Sequence, residues 1–279
     1  MEVLAIKIIT DSCCDLTDEL LNGVEVVPMT VIIDGKDYKD GDDISREEFY
    51  QRLSTAENPP GSASPSPKDF FDKFSQAEKI FIVTVSSALS SSYEHALLAG
   101  ENYTRQFKDK LVYVFDSLNA SVGQGLTVLK LKRMVEDNLS PAKILNNLEE
   151  YIKGLKTFFL LENMDNLINS GRMNRLLGKV VSVLNIKFIM GKNSEGRIEL
   201  YDKVRGSKRA FNKLLETIGE YGSDFEDRVL GIAHCNALEK AERFKEEVER
   251  MYNFKEIVIT KMGPTIATYA DIGGLLISF

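Results

Sequence analysis

Along the first half of the chain, short runs of aliphatic and β-branched residues alternate with segments whose apolar positions recur every three to four residues. This is the pattern of strands interleaved with helices in α/β architecture. Val3 to Ile9 is one such run, and it delivers Thr10, Asp11 and Ser12 at its carboxyl end. A short helix is expected from Leu16 to Leu21, begun by Asp15 or Thr17, and then a second strand from Val24 to Ile33, closed by Asp34-Gly35. Ser45 with Glu48 three residues on has the form of a capping box opening a helix through Leu53. A loop rich in Pro and Ser follows from Asn58 to Pro67. Ser66-Pro67 opens a helix to Phe74, with Pro at its first position. The strand Ile80 to Val85 runs into five serines (Ser86, Ser87, Ser90, Ser91, Ser92) and a helix to about Arg105. The strand Leu111 to Phe115 runs into Asp116-Ser117 and a helix from about Asn119 to Val135. Ser140-Pro141 opens one more, to about Lys153.

The second half changes character. It predicts a strand Thr157 to Leu161, a short helix Asn163 to Asn169, the turn Ser170-Gly171-Arg172 and a helix from about Asn174 to Leu184. The turn Asn193 to Gly196 makes a hairpin of Ile186 to Met190 and Arg197 to Lys203. Helices over 207–219 and 236–251, strands over 228–234 and 256–261, and an apolar strand from Ile272 complete the chain. The fold class expected is α/β in two domains, residues 1–155 and 156–279, the first an open, mostly parallel sheet flanked by helices.

The chain has 279 residues and a net charge of -7, with 43% hydrophobic and 28% charged residues. A core of this size needs no disulfide or metal staple, and three cysteines, two of them adjacent, form no zinc spacing. The acidic balance argues against nucleic acid or an anionic membrane as partner. No run approaches the roughly 18 apolar residues of a membrane span, so no stable membrane insertion is expected. The start, Met-Glu-Val-Leu-Ala-Ile-Lys, carries an acid where a signal peptide wants bases. The expectation is a cytoplasmic protein.

Three strand ends of the first half therefore carry hydroxyls and carboxylates: Asp11 and Ser12, the serine cluster, and Asp116 and Ser117. Open α/β sheets bind ligands beyond the carboxyl ends of their strands, and hydroxyls beside helix starts suit an anion. The same residues also serve as ordinary helix caps. Nucleophile chemistry is thin. Gly-x-Ser-x-Gly, Gly-x-Gly-x-x-Gly and Walker-type Gly-Lys-Ser are all absent, and no cofactor is implied. His95 lies inside a helix, whereas His234 ends a strand and could face a crevice. Cys13 follows the first strand near a helix start, which could lower its pKa. Arg172 and Arg205 could each meet a ligand anion, a partner or an internal acid. One reading is thus a hydrolase or acyltransferase using a serine of the 86–92 cluster with His234 as base.

Several motifs resemble the DegV family, in order and across essentially the whole chain. Thr10 to Leu16 (Thr-Asp-Ser-Cys-Cys-Asp-Leu) is similar to its opening Thr-Asp-Ser-x-x-Asp-Leu, and Ser62-Ala63-Ser64-Pro65-Ser66 sits where the family has Thr-Ser-Gln-Pro-Ser. Ser86 to Tyr93 resembles Ser-Ser-x-Leu-Ser-Gly-Thr-Tyr. Ser170-Gly171-Arg172-Met173, Leu184-Asn185-Ile186-Lys187, Lys203-Val204-Arg205-Gly206 and His234 continue the match. The resemblance implies a protein that binds a long-chain fatty acid such as palmitate, stearate or oleate in a cavity reaching between the domains. In some members it is the carrier from which a fatty acid kinase takes its substrate. The carboxylate-binding hydroxyls would be Ser62, where the family usually has Thr, and Ser90. Asp11, Ser12, Ser64, Ser91, Asp116, Ser117, Arg172, His234 and Tyr269 would lie nearby. Two departures stand out. The loop carries Ala63 and Ser64 in place of Ser and Gln, and Tyr269-Ala270-Asp271-Ile272-Gly273 replaces His-x-Gly-Pro-Gly, exchanging an imidazole for a phenol. Burying about fifteen methylenes at roughly 0.8 kcal/mol each is worth about 12 kcal/mol gross, so the tail would supply affinity. Hydroxyls at roughly 1.5–3 kcal/mol per charged hydrogen bond would supply orientation.

Overall fold

The structure is a computed structural model and describes residues 6–75, 77–173 and 185–279. The helix expected from Asn174 to Leu184 lies outside the described residues. Two main sheets organise the rest. The first is built from β1 (Ile6–Asp11), β2 (Val24–Val27), β6 (Lys79–Thr84) and β7 (Leu111–Asp116) in the order β2-β1-β6-β7, all parallel. Its strands read as continuous apolar runs because both faces are covered. Helices α2 (Pro67–Phe74) and α3 (Ser92–Gln106) bring Phe70, Phe74, Ala96 and Tyr103 to one face. Helices α4 (Val122–Glu136) and α5 (Pro141–Gly154) bring Leu126, Leu131, Ile144 and Leu148 to the other. The chain begins in the middle of this sheet, steps to the β2 edge, then crosses to β6. The order therefore reverses between β1 and β6, and the crevice of such a sheet opens at that switch point.

The second sheet holds β8 (Thr157–Leu160), β9 (Ile186–Lys192), β10 (Ile198–Arg205), β11 (Val229–His234), β12 (Glu256–Lys261) and β13 (Leu275–Ser278). Its order is β10-β9-β8-β13-β11-β12, antiparallel except for β11 with β12. Helices α7 (Ser207–Tyr221) and α8 (Leu238–Met251) cover its outer face with Phe211, Leu214, Ile218, Phe244 and Val248. The first half of helix α4, Val122 through Leu129, is buried all round, and the helix packs on β1 and β6 as well as on β11 and β13. A helix buried on every side belongs between two layers. Here it joins the two sheets, and Gly125 lets it in: a Cβ there would stand 2.6 Å from the carbonyl oxygen of Cys14.

Five expectations are corrected. Val24 to Ile33 is two strands, because Pro28 has no N–H for the ladder. Beyond it the chain enters a small antiparallel sheet of β3 (Thr30–Ile33), β4 (Lys36–Lys39) and β5 (Gly61–Ala63). The loop from Asn58 to Pro67 is therefore not all loop: its prolines flank β5, and Ser62 pairs with Val31. Leu16 to Leu21 is not a helix. A 3-10 turn at Ser12–Cys14 precedes it, Asp15 lies at φ 52, and the Leu16 carbonyl accepts from Arg46 Nη2 at 2.8 Å instead of from a helical N–H. Helix α4 starts at Val122 rather than Asn119, since Leu118 (φ 49) and Ser121 (φ 56) hold the preceding residues in a turn. Finally, β13 starts at Leu275, after a turn through Asp271 (φ 54) and Gly273 (φ 91), and a helix α9 (Pro264–Ala270) precedes it. The seven residues of α9, Pro-Thr-Ile-Ala-Thr-Tyr-Ala, are too few to show a readable helical period. The other short helices are α1 (Arg46–Thr55), with Ser45 Oγ accepting from Glu48 N, and α6 (Asp165–Asn169).

Candidate functional site

The inner face of the second sheet forms one wall of a cavity between the two sheets. Strand alternation sets its character. In β8 and the residue after it, Phe158 and Leu160 point to the outer core, and Thr157, Phe159 and Leu161 point inward. In β9 and β13, Lys192 and Leu276 do the same. Cys13, Met29, Val85 and Leu89 close the cavity from the first sheet's carboxyl ends, and Met262, Thr265, Ile266, Tyr269 and Ala270 from α9 and its approach. The cavity, which is partly open to solvent, measures about 110 Å³. Met29 and Met262 give this wall flexible, easily repacked side chains.

The polar atoms of the lining gather at two places. At the first, Ser62 of β5 and Tyr269 of α9 share a hydrogen bond of 2.7 Å between their hydroxyls. Whichever donates, the other O–H is left free to point at a ligand. Arg172 stacks on the Tyr269 ring, its Cζ 4.4 Å from the centroid, and its Nε donates to the Leu89 carbonyl at 2.9 Å. Ser90, which lines the cavity with Arg172, accepts from Ser92 N at 3.3 Å and donates to no described residue, so its proton is available to a ligand. At the second place stand Asn119, Thr157 and Lys192. No Asp or Glu occurs among the described lining residues. The site can therefore receive an anion at an apolar cavity and offers no partner for a cation.

The remaining residues singled out from the sequence lie outside the lining and brace it. Asp11 is fully buried and accepts four hydrogen bonds: from Cys13 N, Val85 N, Ser92 Oγ and Gln124 Nε2, at 2.7–3.1 Å. It ties the ends of β1 and β6 to the starts of α3 and α4. Burial raises its pKa against these bonds. Ser12 donates to Asp40 Oδ2 (3.0 Å), which also accepts from Thr265 N and Oγ1 at the start of α9. Asp15 accepts from Ser121 Oγ (2.6 Å) and Gly263 N (2.7 Å), and burial lifts its pKa to about 7. Two buried carboxylates thus anchor the helix that carries Tyr269. Asp116 accepts from Ser87 N and Leu118 N, and Ser117 closes the turn before α4 through the backbone of Asn119. Ser64 and Ser91 bond each other at 2.9 Å.

Neither histidine stands ready as a base for a cavity serine. His234 Nδ1 accepts from Ala237 N at 3.1 Å, outside the cavity, and burial lowers its pKa to about 4. His95 Nδ1 lies 2.7 Å from the Pro65 carbonyl, which can only accept, so this nitrogen carries the proton beside Ser64. The expectation for Cys13 is reversed. Burial, and then Asp11, Asp40 and Asp15, raise its pKa well above the ordinary value. Sequence reading gave no part in the site to Lys192 or Asp40, and saw Asn119 and Asp15 only as helix starts or motif positions. Lys192 ends β9 and Asn119 lies in the turn after β7, so they face inward only through register and turn geometry.

Comparisons with known proteins identify the family and the fold. A family model described as "Uncharacterised protein, DegV family" matches residues 5–279. A DegV domain-containing protein of Caldanaerobacter subterraneus is 31% identical over 272 residues, covering 95% of each chain. The crystal structure of a DegV-family protein from Ruminococcus gnavus, refined with vaccenic acid, has a TM-score of 0.93 and 31% identity, covering 99% of this chain and 100% of that one. The Streptococcus pneumoniae Fatty Acid Kinase (Fak) B3 protein loaded with linoleic acid has a TM-score of 0.90 and 28% identity, covering 99% of each chain. With a family model spanning nearly every residue and the same two-sheet fold in its relatives, the chain belongs to the DegV family.

Proposed function

We propose that this protein binds a long-chain fatty acid, with the acyl chain in the cavity between the sheets and the carboxylate held by Ser90, the Ser62–Tyr269 pair and Arg172. The observation that carries the reading is the cavity lining: apolar along its length, with hydroxyls and cations but no carboxylate among its described polar groups. Similar folds crystallised with vaccenic and linoleic acids support it. Met29 and Met262 are the lining side chains suited to repack around an entering acyl chain. The protein acts as a carrier rather than an enzyme, and its likeness to the Fak B3 protein supports a fatty acid kinase as the partner to which the acid is presented. The phenol of Tyr269 takes the place where the family has an imidazole.

A displacement assay with a fluorescent fatty acid on the native protein and on Ser62→Ala/Ser90→Ala tests this. Two hydrogen bonds to a carboxylate at about 1.5 kcal/mol each predict a loss of affinity on the order of 100-fold. Unchanged affinity in the double variant would remove the proposed head-group seat.

A further inference from the structure

At the end of the cavity where β8 begins, the lining turns polar again. Thr157 Oγ1 donates to Asn119 Oδ1 at 2.8 Å, and it is linked to Ser278 Oγ at 2.9 Å. Asn119 is only 2% exposed, yet its Nδ2 finds no acceptor. Lys192 comes to the same place: the register that sets Phe158 opposite Gly191 brings Thr157 and Lys192 alongside each other one step further on. Its ammonium makes no described hydrogen bond or ion pair, and Asp116, the acid whose charge reaches it, accepts through Oδ1 from the backbone N–H groups of Ser87 and Leu118. Burial and Lys156 push its pKa down to about 8. An alkyl tail satisfies neither group. Buried donors without acceptors are rare, and each one calls for an explanation.

We propose that Asn119 and Lys192 form a second polar station in the cavity that accepts an oxygen on the acyl chain, so that the protein selects hydroxy or oxo fatty acids over plain ones. This rests on the fatty-acid reading and adds the substrate class. Asn119 Nδ2 and Lys192 Nζ both donate, so the matching group is an acceptor: a hydroxyl or ketone oxygen, not a methylene. Position follows from the strand. Thr157 and Leu161 are four residues apart, about 13 Å at roughly 3.3 Å per residue. Leu161 packs beside α9, the helix of Tyr269. The favoured oxygen therefore sits well down the chain rather than beside the carboxylate.

The test measures dissociation constants for octadecanoic acid and for its 3-, 10- and 12-hydroxy derivatives, on the native protein and on Lys192→Met and Asn119→Leu. The expected result is at least tenfold preference for a mid-chain hydroxy acid over octadecanoic acid in the native protein, little for the 3-hydroxy acid, and collapse of that ratio in Lys192→Met. Lys192 is half-buried and has no hydrogen bond or ion pair among the described residues, so this variant should fold and decides the matter alone if Asn119→Leu does not. Equal ratios in native protein and Lys192→Met, or a native preference for the plain acid throughout, would overturn the proposal while leaving fatty-acid binding intact. Loss of octadecanoic acid binding itself in Lys192→Met would also overturn it, by placing the carboxylate at this end. Failure of every acid to bind the native protein would sink the fatty-acid reading as well.

Discussion

Ser62 Oγ and Tyr269 Oη lie 2.7 Å apart across 207 residues of sequence. The contact joins β5, in the small sheet of the first half, to α9 near the end of the chain. It exists only because α9 is pinned by Asp15 and Asp40, two buried acids from the loops after β1 and β4. Tyr269→Phe removes the phenol and leaves Arg172 its ring. One hydrogen bond of about 1–1.5 kcal/mol then goes, and fatty-acid affinity in the displacement assay should fall about tenfold, less than in the double serine variant.

Asp11→Ala should destabilise more than any substitution in the lining. It strands four buried donors at once, and unsatisfied buried groups cost about 1–3 kcal/mol each before relaxation. A loss on the order of 4 kcal/mol in urea unfolding is expected, with Asp11→Asn milder because one oxygen still accepts. A neutral Asp11→Ala would show that the junction of β1, β6, α3 and α4 does not depend on this carboxylate.

Two buried groups titrate with opposite effects on stability. Asp15 has its folded pKa raised from 3.8 to about 7 by burial. Its contribution is present below pH 3.8 and is lost as pH rises through about 7. His234 has its folded pKa lowered from 6.5 to about 4, so its contribution is present above pH 6.5 and is lost as pH falls through about 4. Asp15→Asn, which can still accept from Gly263 N, should gain stability relative to the native protein between pH 5 and pH 8. For His234→Gln, the deficit seen at pH 7 should shrink toward pH 4. Parallel pH profiles for native and variant proteins would contradict these assignments.

Incubation with a fluorophosphonate should leave the serines unlabelled. The Ser64 hydroxyl faces a His95 nitrogen that already donates to Pro65, and His234 is capped by Ala237 away from the cavity. Stoichiometric labelling at Ser90 or Ser62 would reinstate a catalytic reading.

Gly125→Ala should cost about 1–3 kcal/mol, because the new methyl would meet the Cys14 carbonyl oxygen at 2.6 Å, a backbone atom with little room to move. A thermal melt reads this directly, and an unchanged melting temperature would mean that α4 can shift against the β1 loop.

Much of the architecture was legible in the chain itself. The apolar runs of β1, β6 and β7 mark buried parallel strands, and the Ser45 and Ser66 caps mark helix starts, because both signals depend on residues close in sequence. Ser62 and Ser90 were legible as candidates through the motifs of the family. What tertiary structure alone decided is everything set by distant partners. Leu16 to Leu21 forms turns, with the Leu16 carbonyl bonded to Arg46 from 30 residues away. Tyr269 meets Ser62 because buried acids hold α9 in place. Asn119 and Lys192 share one cavity end because strand register aligns β8 with β9. Local propensity is written in neighbouring residues, whereas these contacts follow from how whole elements pack, and no short window of sequence contains both partners.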